Sequence, residues 1–165
     1  SKASINNQSK VQEMVAAYDS GGAAVLSILT DTVFFGGSPD DLITARNHTE
    51  KPLLRKDFIY DPYQIYEAKA YGADVILLIA AVLSKNQISE LSALAQELGL
   101  EVLLEVHDKE ELLQKQLPSI DLLGVNHRNL KTFEVNLMLG EELLPFMQES
   151  KRRMSLGGVQ SPLLT

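Results

Sequence analysis

The sequence predicts an α/β fold in which a parallel β-sheet is covered by helices. Apolar stretches begin near residues 24, 53, 75, 101, 121 and 152, and most of the gaps between them have the pattern of a helix. Apolar runs without strict alternation are typical of strands that are buried on both faces, as in parallel sheets. Polar side chains occur at the ends of several of these stretches: Asp31, Lys56, Glu105, Asn126 and Ser155. Because the loops after the strands of a barrel converge on one face, this distribution favours a barrel over an open doubly wound sheet.

The first predicted strand also lacks the signature of a dinucleotide-binding sheet. No Gly-x-Gly-x-x-Gly motif follows it, which weakens the doubly wound alternative. A complete (β/α)8 barrel needs eight strands and about 250 residues. The chain has 165 residues and six strand candidates. We therefore expect one domain over residues 1–165, an incomplete (β/α)8 TIM barrel with about six β/α units.

Residues that favour helix ends predict the individual helices. Ser9, Ser38, Asp61 and Asp108 are residue types that cap helix N-termini, and Pro62 suits the first helical position. The predicted helices span residues 10–19, 39–47, 62–70, 86–98, 109–116 and 140–148. The predicted strands cover residues 23–29, 74–79, 101–106, 120–125 and 151–154, with a further strand that begins at residue 53.

The stretch of residues 53–58 carries the most informative polar residue. In a strand, side chains alternate between faces, so Leu54, Lys56 and Phe58 share one face. Two apolar neighbours indicate that this face is the buried one. An inward-facing lysine is costly unless it has a function or a partner. Lys56 is therefore a candidate catalytic residue, with a snorkelling side chain or a salt bridge to Asp57 or Glu105 as the alternative explanations.

Composition narrows the class of partner. The net charge of -7 argues against nucleic acid and anionic membranes as main partners. The chain has no cysteine, and its three histidines have no local ligand spacing, so we expect neither a metal site nor a cofactor. The longest apolar run, residues 75–83, is half of the roughly 18 residues that span a bilayer. The first residues are too polar for a signal peptide, and we expect a cytoplasmic location.

Five segments in order carry a family resemblance: SILTD at residues 27–31, PLLRKDFI at 52–59, ADVILLI at 73–79, LGLEVLLEVH at 98–107 and GVNHRNLKTF at 124–133. Together they resemble indole-3-glycerol phosphate synthase. The resemblance implies a (β/α)8 barrel enzyme of tryptophan biosynthesis. Its reaction closes the indole ring of 1-(2-carboxyphenylamino)-1-deoxyribulose 5-phosphate, with loss of carbon dioxide and water.

The resemblance also implies roles for particular residues. It makes Lys56 the general acid and Glu105 its acid/base partner. It assigns substrate contacts to Asn126 and Arg128, and an apolar wall around the anthranilate ring to Phe35, Phe58 and Leu77. Gly157 and Gly158 follow the last predicted strand, where two backbone amides can bind a phosphate. From the residues alone, Asn126 is equally explained as a turn former and Arg128 as a solvated charge.

Departures from the family pattern qualify these expectations. The first barrel strand, with its catalytic glutamate and substrate-binding lysine, has no counterpart, and no sequence supplies an eighth strand. Leu156 stands where the family has a glutamate. We expect a chain truncated at both ends relative to the family, with reduced or no activity, whose open sheet edges favour self-association. Two alternatives remain: a non-catalytic truncated or degenerate homologue that acts as an assembly module, and another phosphosugar-binding barrel such as phosphoribosylanthranilate isomerase.

Overall fold

The computed structural model describes residues 7–33, 36–128, 135–136, 138–147 and 152–156, with the backbone alone described at residues 7–9 and 152–156. Its elements are α1 (Asn7–Ser20), β1 (Leu26–Leu29), α2 (Pro39–Arg46), β2 (Leu53–Lys56), α3 (Pro62–Ala70), β3 (Val75–Ile79), α4 (Lys85–Glu97), β4 (Glu101–Val106), α5 (Lys109–Lys115), β5 (Leu122–Asn126), α6 (Leu139–Leu143) and β6 (Arg152–Leu156). A 3₁₀ turn, Leu144–Phe146, follows α6. Within these ranges, none of the helices has the length and apolarity that crossing a membrane requires.

The described strands form one parallel sheet of six strands in the order β1-β2-β3-β4-β5-β6. Each strand lies beside the one that precedes it in the chain. A doubly wound sheet reverses its strand order at a switch point, whereas a barrel keeps one direction throughout. The prediction of an incomplete (β/α)8 barrel with about six β/α units is therefore confirmed.

Side-chain caps begin four of the helices. The predicted caps Ser38, Asp61 and Asp108 each accept a hydrogen bond from a backbone N–H in the first turn of α2, α3 and α5. Ser84 and Gln87 form a capping box at the start of α4, which the sequence analysis did not predict. Each such cap is worth about 1 kcal/mol, and the caps fix where the connecting loops end.

Three predicted boundaries are wrong by three residues or more. Helix α1 begins at Asn7, so Ser9 lies within it instead of capping it; serine carries only a modest penalty in a helix. Strand β1 begins at Leu26 rather than at residue 23, because the alanines before it have low strand propensity. Helix α6 ends at Leu143, since Pro145 has no N–H to continue the helical hydrogen bonds and a 3₁₀ turn replaces them.

Both faces of the sheet are apolar, but they pack against different partners. The larger cluster lies between the sheet and the helices and includes Leu53, Ile76, Leu78, Leu104 and Leu123. The smaller cluster, which we call the inner face, consists of Leu54, Val75, Leu77, Ile79 and Leu103, with Phe58 and Leu122 packed against it. Burial on both faces explains why β3 is apolar at every position.

Strand β2 shows the alternation that the sequence predicts. Leu54 lies in the inner cluster and Phe58, just beyond the strand, packs against it. Leu53 belongs to the helix-side cluster. Since Lys56 follows Leu54 by two residues, it lies on the inner face, half-buried, at the carboxyl end of the strand. Arg55 is directed to the helix side, where it is only 3% exposed.

Candidate active site

Two ionisable side chains face each other on the inner face of the sheet. Lys56 ends β2, and Glu105 lies near the end of β4, where it is 3% exposed. The two strands are not neighbours: β3 lies between them, with Ile79 paired to Glu105. They still face each other, because in a barrel the side chains of alternate strands share one interior layer. The positive charge of Lys56 acts directly on Glu105.

Glu105 is held by side chains of two neighbouring segments. The amide Nδ2 of Asn126, on β5, donates a hydrogen bond of 3.0 Å to Oε1 of Glu105. Nε2 of His107 lies 3.3 Å from the same oxygen. That contact is an ion pair when the imidazole is protonated, but the ring nitrogen is not aligned for a hydrogen bond. Glu105 is therefore buried and oriented rather than free to turn.

The surroundings of Glu105 favour its ionised form. Burial alone raises the pKa of a carboxyl group, since the charge is removed from water. Here the contacts with His107 and Asn126, together with the charge of Lys56, outweigh burial and hold the pKa of Glu105 below its ordinary value. At neutral pH the site thus contains a carboxylate that can accept a proton, opposite an ammonium that can donate one.

His107 is a site residue that the sequence analysis did not single out. It follows Glu105 by two residues and is therefore on the same face of β4 and its extension. Its backbone N–H donates a hydrogen bond of 2.8 Å to Oε2 of Glu111, and its ring Nδ1 lies 3.4 Å from the same atom. The spacing of two between Glu105 and His107, and of four between His107 and Glu111, was the available signal.

Asn126 lies beside Glu105, whereas Arg128 is exposed. Asn126 contacts Glu105 and, through Oδ1, also accepts a hydrogen bond of 2.9 Å from the backbone N–H of Arg128. The Asn126 side chain therefore both forms a turn with the backbone and contacts the candidate site. Arg128 is exposed, and its backbone forms an isolated bridge with Val135. In the described part of the chain, none of the contacts of Glu105 involves the Arg128 guanidinium.

The predicted apolar wall is described in part. Leu77 is buried in the inner cluster, and Phe58 packs against that cluster from the loop after β2. Both lie on the face that carries Lys56. Phe35, Gly157 and Gly158, which were predicted for the apolar wall and the phosphate site, lie outside the described residues. Within the described ranges, the His, Asp and Glu side chains form no group of three or more that could hold a metal ion.

The strand order and the ionisable pair at the carboxyl ends of β2 and β4 define the class of protein. It is a (β/α) barrel in which the inner rim carries a candidate acid and a candidate base. The likeness to solved structures supports this fold. A 3-keto-L-gulonate-6-phosphate decarboxylase from Vibrio cholerae superposes with a TM-score of 0.66 at 18% identity, covering 90% of this chain and 74% of that one. A tryptophan synthase α-subunit from Pyrococcus furiosus does so with a TM-score of 0.67 at 16% identity, covering 92% and 73%.

The family follows from sequence. The chain matches the family described as indole-3-glycerol phosphate synthase over residues 1–163, and it belongs to that family. An indole-3-glycerol phosphate synthase from Neisseria meningitidis serogroup C is 49% identical over 148 residues, which cover 90% of this chain and 57% of the relative. The protein of that name from Bordetella pertussis is 48% identical over 150 residues, covering 91% and 57%. The chain therefore spans 57% of the length of these relatives.

Proposed function

We propose that the chain carries part of the machinery for indole-3-glycerol phosphate formation. The substrate would be 1-(2-carboxyphenylamino)-1-deoxyribulose 5-phosphate, whose ring closure releases carbon dioxide and water. The observation that supports this most is a buried carboxylate, Glu105, in the electrostatic field of Lys56 on one inner face. Family membership favours this reaction over that of phosphoribosylanthranilate isomerase. A cytoplasmic location stays part of the proposal.

Lys56 acts as the general acid in this proposal. Attack of the anthranilate ring carbon on the sugar ketone places negative charge on the ketone oxygen, and the resulting hydroxyl later departs as water. An ammonium can donate a proton to that oxygen and stabilise the developing charge. Among the described residues, Lys56 forms no salt bridge, so its ammonium is available for a substrate oxygen.

Glu105 acts as the base. After the carboxylate of the substrate has left as carbon dioxide, the new five-membered ring must lose a proton when the hydroxyl departs. A carboxylate with a lowered pKa, oriented by Asn126, is in the form that accepts this proton. Lys56 thus donates a proton and Glu105 accepts one, and both act from the same layer of the barrel interior.

The apolar inner face suits the aromatic part of this substrate. Leu77 and Phe58 present hydrocarbon surface on the same face as the ionisable pair. An apolar wall binds an anthranilate ring and excludes water from the carboxylate that is to be lost. The phosphate would be bound by the amides of Gly157 and Gly158, and the remaining polar contact to substrate would come from Arg128.

A direct assay tests the proposal. Formation of indole-3-glycerol phosphate is measured with the chain alone and with the chain mixed with polypeptides that carry the unmatched parts of the Neisseria meningitidis relative. Lys56→Ala is expected to lower turnover by about 10²–10⁴-fold, the usual contribution of a general acid. Lys85→Ala, at an exposed lysine of α4, is the matched control. Turnover that survives in Lys56→Ala would overturn the role of Lys56.

The second candidate is a non-catalytic module that associates through a sheet edge. Among the described residues, β1 pairs with β2 alone. A cavity of about 490 Å³ lies beside β1 and is lined by Met14, Tyr18, Val25 and Leu29 among others. A free edge next to an apolar groove is a site for strand addition.

This second candidate function is tested by measuring the molecular mass of the chain in solution and by assaying for turnover, which it predicts to be absent. Light scattering is expected to show association that weakens in Val25→Lys, with Val82→Lys at a 57% exposed loop position as the control. The non-catalytic role is supported if the folded chain associates and forms no indole-3-glycerol phosphate, either alone or mixed with the polypeptides from the relative. A monomeric mass for the unaltered chain would rule out association through this edge.

A further inference from the structure

His107 is a buried ionisable group to which the proposed reaction assigns no step. Its side chain is 8% exposed and lies between the carboxylates of Glu105 and Glu111. Glu105 is on the strand that His107 follows, and Glu111 is in the first turn of α5. A buried polar ring needs partners, and here both partners are acids.

Glu111 anchors the imidazole. Its Oε2 accepts a hydrogen bond of 2.8 Å from the backbone N–H of His107 and lies 3.4 Å from ring Nδ1. Glu111 is itself fixed, because its backbone N–H donates a hydrogen bond of 2.8 Å to Oδ1 of the helix cap Asp108. One carboxylate oxygen therefore contacts both the backbone and the ring of His107, which restricts rotation of the ring.

We propose that His107, anchored by Glu111, is a positioning residue that orients the Glu105 carboxylate and keeps it in its basic form. The inference rests on the proposed function, because that function makes Glu105 a base. Nε2 of His107 and Nδ2 of Asn126 both approach Oε1 of Glu105, at 3.3 Å and 3.0 Å. Neither of these contacts involves Oε2, which leaves that oxygen to meet the substrate.

The charges around the imidazole agree with this arrangement. Glu105 and Glu111 flank it, Lys56 acts on Glu105 from β2, and Lys115 acts on Glu111 from α5. Burial disfavours the imidazolium, but the contacts with the two carboxylates outweigh it and raise the pKa of His107 to about 9. At neutral pH His107 is therefore protonated and brings a positive charge to within 3.3 Å of Oε1 of Glu105.

Nuclear magnetic resonance tests the inference without any need for turnover. Ring ¹⁵N shifts of labelled histidine are expected to show that His107 stays doubly protonated up to a pH of about 9. Glu111→Gln is expected to lower the pKa of His107. In His107→Gln, carboxyl ¹³C shifts are expected to show that the pKa of Glu105 has moved upward, because burial is then opposed by fewer contacts. His48→Gln, at an exposed histidine, is the control and is expected to leave Glu105 unchanged.

Activity gives the second measurement. With the assembly that shows turnover, His107→Gln is expected to move the acid limb of the pH profile of kcat/KM to higher pH. At pH values below the shifted pKa of Glu105 it is expected to lower kcat/KM about tenfold for each unit by which that pKa rises, and well above that pKa it is expected to have little effect through this route. Poorer folding is separated from this effect by measuring the folded fraction by circular dichroism at each pH and comparing kcat/KM per folded molecule.

Two results would overturn the inference. One is a titration of Glu105 that is the same in the unaltered chain and in His107→Gln. The other is a neutral His107 ring at pH 7. If His107→Gln does not fold, Glu111→Gln takes its place as the test. The inference is then contradicted if Glu105 and His107 titrate in Glu111→Gln as they do in the unaltered chain. Failure of the proposed function gives a different result: no variant forms product, although the pKa values of Glu105 and His107 still change in the variants.

Discussion

Replacing Arg55 by methionine is expected to destabilise the fold by about 3–5 kcal/mol, the usual cost of removing one partner from a buried ion pair. Nε of Arg55 donates to Oγ1 of Thr30 at 3.1 Å, and the two terminal nitrogens donate to the carbonyl oxygen of Gln64 at 2.8 Å and to Oδ2 of Asp57 at 3.0 Å. This network lies on the helix side of β2, directly behind Lys56.

The magnitude follows from what each partner loses. A hydrogen bond from a charged donor is worth about 1.5–3 kcal/mol, so three of them set an upper bound of about 9 kcal/mol. Methionine keeps much of the apolar contact, and Glu67, 26% exposed and 3.4 Å from Arg55, can turn to solvent. Asp57 cannot do so at 11% exposure, and without Arg55 it loses its cationic partner while keeping hydrogen bonds from Thr30 at 2.7 Å and from the backbone N–H of Phe58 at 2.8 Å. The uncompensated charge of Asp57 therefore dominates the expected loss.

Urea unfolding followed by circular dichroism measures this free energy. Lys51→Met is the control, because Lys51 pairs with Asp19 at 29% and 42% side-chain exposure and such pairs are worth less than about 1 kcal/mol. Adding Asp57→Asn to Arg55→Met is expected to recover part of the loss, since it removes the unpaired charge. A change in Arg55→Met no larger than in Lys51→Met would refute the reasoning.

The remaining predictions concern pH, backbone and core. Because His107 binds its proton more tightly when folded, its contribution to stability is expected to be complete below pH 6.5 and to be lost as pH rises to about 9, and His107→Gln is expected to flatten the pH dependence of urea unfolding in that range. Gly72→Ala is expected to cost more than about 1 kcal/mol, because Gly72 has φ 91° and a Cβ there would lie 2.6 Å from Cγ of Arg46. Ile76→Ala is expected to cost about 2–5 kcal/mol, since Ile76 is 0% exposed between sheet and helices.

Matched variants separate these causes. Gly22→Ala has a similar backbone, with φ 80° and no neighbour within 4 Å of the added Cβ, so it carries strain without a clash. Equal losses at Gly22 and Gly72 would contradict the clash. Val82→Ala, at 57% exposure, is expected to cost little, and a loss equal to that of Ile76→Ala would contradict the cavity argument. A pH dependence that persists in His107→Gln would assign the effect to other groups.

Much of the element structure was predictable because its signals are local. Ser38, Asp61 and Asp108 were identified as caps, and each accepts from a backbone N–H only two or three residues away. The end of α6 was missed although its cause, Pro145, is also local. The apolar pattern around Pro145 is compatible with a longer helix, whereas its missing N–H is not.

Some residues of the candidate site could be named from the sequence, but His107 and the arrangement of the site could not. The resemblance pointed to Lys56, Glu105 and Asn126, and alternation pointed to the inner face for Lys56. That Lys56 and Glu105 meet across an intervening strand depends on barrel curvature, which no segment of sequence encodes on its own. The sequence gives Arg55 no evident role, because its partners Thr30 and Glu67 come from the loop after β1 and from α3.

The sequence by itself determined which segments become strands and helices, where most helices start, and that Lys56 faces inward with Leu54. These properties depend on side-chain alternation and on hydrogen bonds a few residues long. Only the tertiary structure decided that Glu105 is ionised, because its pKa depends on His107, Asn126 and Lys56 together. Burial and charge act through space, and those groups come from the ends of β2 and β5 and from the residue just after β4, whose relative positions are set by the packing of the whole sheet.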